Sequence, residues 1–323
     1  MNSYHILFIY VILIDLLSIR KMFICIACQQ PADNELYIEH GDDKYYYCHE
    51  HFCDETHLTT NKPKMIYVSD LHLEFYKKLK HLLNYIKFDE WPQNVNILVL
   101  AGDIMNIRSE DKSLKERFKK LIKLFKEKYK YVMYVPGNHE YYGCKKATIS
   151  INDADQLLKE TCQQLGVIFL QKSKFALLLP GRQINFFGCT LWTLMSEKTF
   201  SMMNDHKATD SNKDIIKLHI DHEKWLRNEL SENTKDSTHD TVVITHHLPS
   251  HQLVHPKFLY SSINDGFCSN MDHVFNYKIN FWIYGHSHES VRRSIKNTYC
   301  ANNPGGYPGE DKITDFDIEV LEI

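Results

Sequence analysis

From Met65 onward the chain alternates short apolar runs with stretches of helical period, the pattern of an α/β domain. The runs KMIYVSD and VNILVLAGD are rich in β-formers, and each ends in a carboxylate, Asp70 or Asp103, at its C-terminal edge. Between them, YKKLKHLLNYIKF places Leu79, Leu82, Leu83 and Ile86 at helical spacing. SLKERFKKLIKLFKEKY predicts a second helix, opened by a Ser113-x-x-Glu116 capping box. Its Leu114, Phe118, Leu121 and Phe125 face the core and its lysines face solvent. KYVMYVPG predicts a third strand, and GVIFL, FALLLP, INFFGCTLWT, DTVVITHH and INFWIYGH predict five more before DFDIEVLEI closes the domain. A helix, IDHEKWLRNEL, precedes the THH strand. Residues 195–214 read as a long polar loop, and in compact domains such loops are lids or disordered segments. We expect a lid that shapes substrate choice, with Asn204 and Asp205 as contacts.

Composition narrows the class. A chain of 323 residues accommodates one large α/β domain plus a small appendage. Its 43% hydrophobic and 24% charged residues support a true core. The formal net charge of -3 provides no global basic field for nucleic acid. There are 19 histidines, several beside Asp, Asn or Gly, so metal chemistry is the first to test. Nine cysteines, four of them between Cys25 and Cys53, lack the even spacing of a disulfide framework. Reduced thiols in an intracellular, reducing compartment fit better, with one local metal cluster.

Residues 1–63 divide into three pieces. Residues 1–21 form a hydrophobic leader in which 4–19 are apolar but short for a membrane span, interrupted by His5 and Asp15. No basic segment leads it and no small-residue cleavage site follows, so neither a membrane anchor nor a secretory signal is favoured, and Met22 is an alternative start. Residues 22–54 contain a Cys25-x2-Cys28 knuckle and, about twenty residues later, CHEHFC. Tetrahedral zinc needs four such ligands, and Cys25, Cys28, Cys48 and His51 would hold one structural Zn, with Cys53 the alternative fourth ligand. The competing reading is a set of unrelated thiols in a disordered arm. The acidic IEHGDD and HEHFCDE segments suit a protein partner better than nucleic acid. Residues 55–63 then read as a linker.

Chemistry collects where predicted strands end. SDLHLE supplies Asp70 and His72, LAGDI supplies Asp103, and PGNHEYY supplies Asn138 and His139. ITHHLPS supplies His246 and His247, and GHSH supplies His286 and His288. Open α/β sheets place their sites at such edges. An isolated H-x-H is as well explained by two surface histidines. Five ligand-rich loops in this order are not.

These blocks resemble the calcineurin-like metallophosphoesterase superfamily, whose pattern is D-x-H, G-D, G-N-H-[DE], H and G-H-x-H. The resemblance spans about Lys64 to Ile323, taken as one domain over 64–323. Within the superfamily it looks like a group of microbial phosphoesterases reading SDLHLEF, LAGDI, PGNHEYY, TLWT and GHTHES. Their tail, N-P-x-G-Y-x-x-E, matches Asn303-Pro304-Gly305-Gly306-Tyr307 through Glu310. The resemblance implies a four-layer α-β-β-α sandwich of two mixed β-sheets flanked by helices. It also implies two divalent metal ions about 3.5–4 Å apart. Asp70, His72, Asp103 and His288 would hold the first ion, and Asp103, Asn138, His246 and His286 the second. Nitrogen and oxygen ligands without thiolate suit Mn, Fe, Zn or Ni. A bridging water would become the hydroxide that attacks phosphorus, with His139 as general acid or transition-state stabiliser.

The resemblance therefore implies a dinuclear metal-dependent phosphoric ester hydrolase acting on phosphomonoesters or phosphodiesters. Glu140 or a neighbouring carboxylate would orient His139. His247 would support a ligand, face substrate or simply pack. His206, His219, His222, His251 and His255 are expected at the surface, and Tyr141 and Tyr142 either stack on a base or pack. Protein Ser/Thr phosphatases of the superfamily carry G-D-x-V-D-R-G, whereas this chain reads GDIMNIR, which disfavours a phosphoprotein substrate. The alternatives are a nuclease and a non-catalytic adaptor that binds protein through the zinc module.

Overall fold

The apolar runs pair into two β-sheets in a computed structural model that describes residues 33–40, 43–47, 62–143, 149–179, 182–235 and 239–323. In chain order the first strands are β1 (Asp33–His40), β2 (Asp43–Tyr47), β3 (Lys64–Val68), β4 (Ile97–Ala101), β5 (Tyr131–Val135) and β6 (Ile168–Phe169). There follow β7 (Ser173–Leu179), β8 (Arg182–Cys189), β9 (Asp240–Thr245), β10 (Phe281–Tyr284), β11 (Arg292–Ile295), β12 (Thr298–Asn302) and β13 (Leu321–Glu322). One sheet has the order β13-β3-β4-β5-β6, and the other β11-β12-β10-β9-β8-β7-β1-β2. In the first, β3 to β6 are parallel and β13 pairs antiparallel with β3. In the second, β8, β9, β10 and β12 are parallel, while β11 and β7 are antiparallel to their neighbours. Both sheets are therefore mixed.

The helices are α1 (Leu79–Tyr85), α2 (Lys112–Lys128), α3 (Ile151–Gln164), α4 (Glu197–Met202) and α5 (Asn212–Asn233). Strands buried on both faces must be apolar throughout, which is why β4 reads ILVLA and β5 reads YVMYV. Alternate side chains then serve two cores. Tyr67, Val99 and Met133 face the second sheet's Phe175, Phe186, Val242 and Ile283. Ile66, Leu98, Leu100 and Val132 instead pack with Leu114, Phe118, Leu121 and Phe125 of α2 and Leu158 of α3. On the far side, Phe187, Val243 and Trp282 pack against Leu226 and Leu230 of α5. Helix, sheet, sheet and helix stack in that order, as expected of the sandwich.

Several local expectations are corrected. α2 is capped by Asp111, whose carboxylate accepts from Ser113 N at 2.8 Å, so Ser113 lies inside the helix rather than at its cap. α5 begins at Asn212 behind a Ser211 cap, eight residues earlier than its apolar period indicates. Residues 195–214 are not structureless. Ser196 caps α4 through Thr199 N, and Asp265 accepts from Ser196 N at 2.8 Å and from the Thr199 hydroxyl. α3, with its Ser150–Asp153 capping box, and the β11–β12 hairpin are additions to the predicted elements.

Residues 33–47 fall in the stretch assigned to the zinc module, where β1 and β2 form a hairpin and β1 joins the edge of β7, Ile38 opposite Phe175. Cys25, Cys28, Cys48, His51, Cys53 and the apolar 4–19 segment lie outside the described residues. Among the described residues no helix is long and apolar enough to cross a membrane.

After β12 the chain returns across the sheet ends as a strap, residues 303–314, before reaching β13. Glu289 pins it. This buried carboxylate accepts from Ile313 N (3.1 Å), Thr314 N (3.0 Å), Thr314 Oγ1 (2.8 Å) and Lys257 Nζ (3.0 Å). Burial works against the charge, but the Ile313 amide, Lys257 and Thr314 together hold its pKa down at about 2, against an ordinary 4.5. A depressed carboxyl stabilises the fold above its unfolded pKa and loses that contribution as pH falls through its folded pKa. The stability advantage of wild type over Glu289→Gln is therefore expected in full at about pH 6 and largely lost near about pH 2, as measured by urea denaturation across that range.

Candidate metal centre

Strands β3, β4 and β5 of one sheet and β9 and β10 of the other end at the same edge of the sandwich. The turns beyond them bury Asp70, His72, Asp103, Asn138, His139, His246 and His286, with His288 half-buried. Asp70, His72, Asp103, His286 and His288 all have φ between 44° and 70°. Non-glycine residues in this left-handed region cost roughly 1–3 kcal/mol each and persist only where the surroundings impose them. Here they are imposed. Asp70 N donates to Gly102 O (2.9 Å), His72 N to Asp103 O (3.0 Å), and His286 N to both Asp70 carboxylate oxygens (3.1 and 3.0 Å). The approach of the turns is close enough to require glycine. A Cβ on Gly102 would lie 2.3 Å from His246 Nδ1, and one on Gly137 would lie 2.2 Å from Asp103 Oδ1.

The side chains fall into two adjoining trios, and a third group, His72, Glu74 and His139, shares His72 with the first. Asp70, His72 and His288 bring ligand atoms within 4.8 Å of one another, and so do Asp103, His246 and His286. His72 Nε2 and His288 Nε2 are 3.1 Å apart, with Asp70 Oδ1 3.5 Å from the latter. Asp103 Oδ2 lies 3.3 Å from His246 Nε2 and 4.0 Å from His72 Nε2, so one carboxylate faces both trios. Asn138 Oδ1 is 3.0 Å from His246 Nε2, and its amide nitrogen donates to Tyr142 OH (2.6 Å) and Asp205 Oδ1 (3.3 Å). The amide is thereby turned to present oxygen to the cluster. His286 and His288 face different trios.

The donor set fits cations. His286 Nε2 is buried without a hydrogen-bond partner, although stray buried polar atoms are costly, whereas His72 Nδ1 has Glu74 Oε1 3.5 Å away. Burial and the neighbouring His246 push the His286 pKa down to about 3, keeping its ring neutral and able to bind a metal. Burial presses His288 the other way from its partners, but Asp70 and Glu310 raise it to about 10. Burial also opposes the ionisation of Asp70, yet His288 and His246 hold its carboxyl below the usual range. Alternating acids and imidazoles of this kind leave a cluster whose charges a divalent cation would satisfy.

His139 lies outside the first two trios and shares the third with His72 and Glu74. Its Nδ1 lies 2.9 Å from Glu74 Oε1 and its Nε2 lies 3.0 Å from the Tyr307 hydroxyl. Burial lowers its pKa, but Asp103 and Glu74 outweigh that and raise it. The orienting carboxylate is Glu74 and not Glu140. Glu140 instead accepts from Asp103 N (3.0 Å), Ile104 N (2.7 Å), Gly137 N (2.7 Å) and Tyr134 OH (2.5 Å), tying the β4 and β5 turns together. Glu74 was visible in SDLHLE, but nothing in its spacing pairs it with a residue 65 positions away. Glu310, whose Oε2 is 2.7 Å from His288 Nδ1, and Tyr307 come from the tail motif, which carries no ligand signature.

Asp205 is buried against Asn138 instead of lining a substrate rim, and Asn204 is exposed. His247 packs between Trp192 and His286, ring centroids 5.5 and 4.2 Å away. Tyr141 packs on Trp192, its hydroxyl bonded to Asp155, while the Tyr142 ring lies 4.3 Å from His139. His219 and His222 are buried and not at the surface. His222 Nδ1 accepts from Leu191 N (3.1 Å) and His219 Nδ1 lies 3.0 Å from Leu191 O, holding a turn in which Leu191 and Trp192 have positive φ. His251 is exposed, and His206 and His255 are half-buried. Glu140→Ala would strand the amides of two buried turns, so it is expected to cost at least about 3 kcal/mol in urea denaturation.

Comparison with known proteins bears on this geometry. Residues 63–290 match the family described as calcineurin-like phosphoesterase. Over 265 residues the chain is 33% identical to the uncharacterized protein L509 of Acanthamoeba polyphaga mimivirus, covering 76% of this chain and 91% of that protein. Its fold is similar to that of the phosphopantetheinyl hydrolase PptH of Mycobacterium tuberculosis, with a TM-score of 0.56 and 16% identity over 76% of this chain and 90% of that one. The matched span includes both trios and His139, and stops short of Tyr307 and Glu310. By sequence and fold together, the chain belongs to the calcineurin-like phosphoesterase family.

Proposed function

We propose that this protein hydrolyses phosphomonoesters or phosphodiesters with two divalent cations. Asp70, His72, Asp103 and His288 would hold one cation, and Asp103, Asn138, His246 and His286 the other. The observation that carries this reading is the pair of trios with Asp103 facing both. When bound, such a pair supplies a nucleophilic water at neutral pH and neutralises charge growing on the phosphoryl oxygens.

The chain's own residues supply the rest. Glu310 fixes the His288 ring through Nδ1, and Ala101 O does the same for His246 at 2.9 Å. The Glu74 carboxylate accepts the Nδ1 proton of His139 and leaves Nε2 to face substrate, where it gives a proton to the departing oxygen. Glu140 holds the Asp103 turn still while charge shifts. A non-catalytic adaptor would have no use for this buttressed His139, and the net charge of -3 gives no support to a nuclease.

The test is metal analysis of the purified protein, followed by assay on p-nitrophenyl phosphate and its bis ester with added manganese. Activity is expected to vanish with chelator and return with metal. Asp103→Asn and His139→Ala are each expected to cut kcat by about 10²–10⁴-fold, and Glu74→Gln by about 10-fold or more with metal content unchanged. His286→Ala and His288→Ala are expected each to lose about one of two bound ions. A protein that binds no metal here and cleaves neither ester sinks the reading. For the N-terminal segment we keep the proposal of one structural zinc on Cys25, Cys28, Cys48 and His51. The Cys25→Ser, Cys28→Ser double variant would then release about one equivalent of zinc, and an unchanged zinc content would end the idea.

A further inference from the structure

The Tyr307 ring packs against the cluster. Its ring centroid is 4.5 Å from that of His288, 4.6 Å from His72, 5.3 Å from Phe75 and 5.8 Å from His139. The strap that carries it is fastened to the turn that carries Asp70. Gly305 N donates to Ser69 O (2.8 Å), Gly306 N to Asp70 O (2.9 Å) and Tyr307 N to Glu310 Oε2 (2.9 Å). A Cβ on Gly305 would stand 2.8 Å from Asp70 O, so this approach is open only to glycine. The hydroxyl is thus placed by the same backbone that places a candidate ligand.

Glu74 occupies Nδ1 of His139, and Nε2 is hydrogen-bonded to the Tyr307 hydroxyl at 3.0 Å, so a substrate oxygen that reaches Nε2 meets that hydroxyl as well. Two donors at that separation can both reach a single oxygen at ordinary hydrogen-bond length. We propose that Tyr307 is a second catalytic residue, whose O–H hydrogen-bonds the leaving oxygen of the phosphoester alongside His139. This rests on the phosphoesterase reading and adds a residue outside the family match. As water's oxygen bonds to phosphorus, the P–O bond to the leaving group breaks and its electron pair goes to the leaving oxygen. His139 transfers its Nε2 proton to that oxygen. The proton released by the attacking water passes to solvent, and His139 regains one from solvent. Tyr307 keeps its own proton and stabilises the charge while it lasts.

Leaving-group dependence tests the assignment. Phenyl phosphate, a poor leaving group, needs help at the departing oxygen, whereas p-nitrophenyl phosphate needs little. Tyr307→Phe keeps the ring and removes the donor. It is expected to lower kcat on phenyl phosphate by roughly 100-fold and on p-nitrophenyl phosphate by less than about 5-fold, with KM and metal content unchanged. Equal losses on the two esters, no loss on either, a change in KM alone, or loss of bound metal would each overturn the role. A wild-type protein inactive on both esters would instead remove the phosphoesterase reading on which the role depends.

Discussion

Buried carboxylates that accept from backbone amides hold this site together. Asp70, at the end of β3, takes His286 N from the opposite sheet, and Glu140, beyond β5, takes amides from the β4 and β5 turns. A carboxylate removed from water must find donors, and here the donors are the backbones of turns that would otherwise splay. The turns can then hold Asp70, His72, Asp103, His286 and His288 at positive φ, a conformation that isolated loops would relax. The clustering of ligands follows from this, because Asp103 can face two trios only while its own backbone is fixed. Close packing completes the constraint, with Gly102 and Gly137 allowing His246 and Asp103 to pass within contact distance.

The same edge divides labour among its histidines by the partner each one finds. His286 has no partner at Nε2 and sits among other imidazoles, which keeps it neutral. His288 has a carboxylate on either side, Asp70 and Glu310. His139 has Glu74 at Nδ1 and the Tyr307 hydroxyl at Nε2. His247 has only packing and the Thr190 carbonyl. Residue type alone does not distinguish these four. The distinction arises from burial and from which polar atom lies at the second ring nitrogen.

The carboxylate that meets the His139 ring comes from the first block, Glu74, and none comes to it from GDIMNIR. The β3 turn makes this possible. With His72 in the left-handed region, residues Leu73–Phe75 coil into a single 3-10 turn that brings Glu74 back over the site.

The sequence by itself determined the strands and the order of the polar residues that end them. Doubly buried parallel strands must be apolar throughout, and the polar residues that break off each run stand out at once. Asp70, His72, Asp103, Asn138, His246, His286 and His288 were legible for that reason. Boundaries set by single capping side chains, such as Asp111 and Ser211, were less so, because several nearby residues could have capped. Only the tertiary structure decided that Glu74 orients His139, that Tyr307 faces it, that Glu310 supports His288 and that Asp205 turns Asn138. These partners lie 65, 168, 22 and 67 residues apart. Contacts at such separations leave no periodicity or spacing in the chain. They exist because two sheets bring their C-terminal edges together and a strap returns across them.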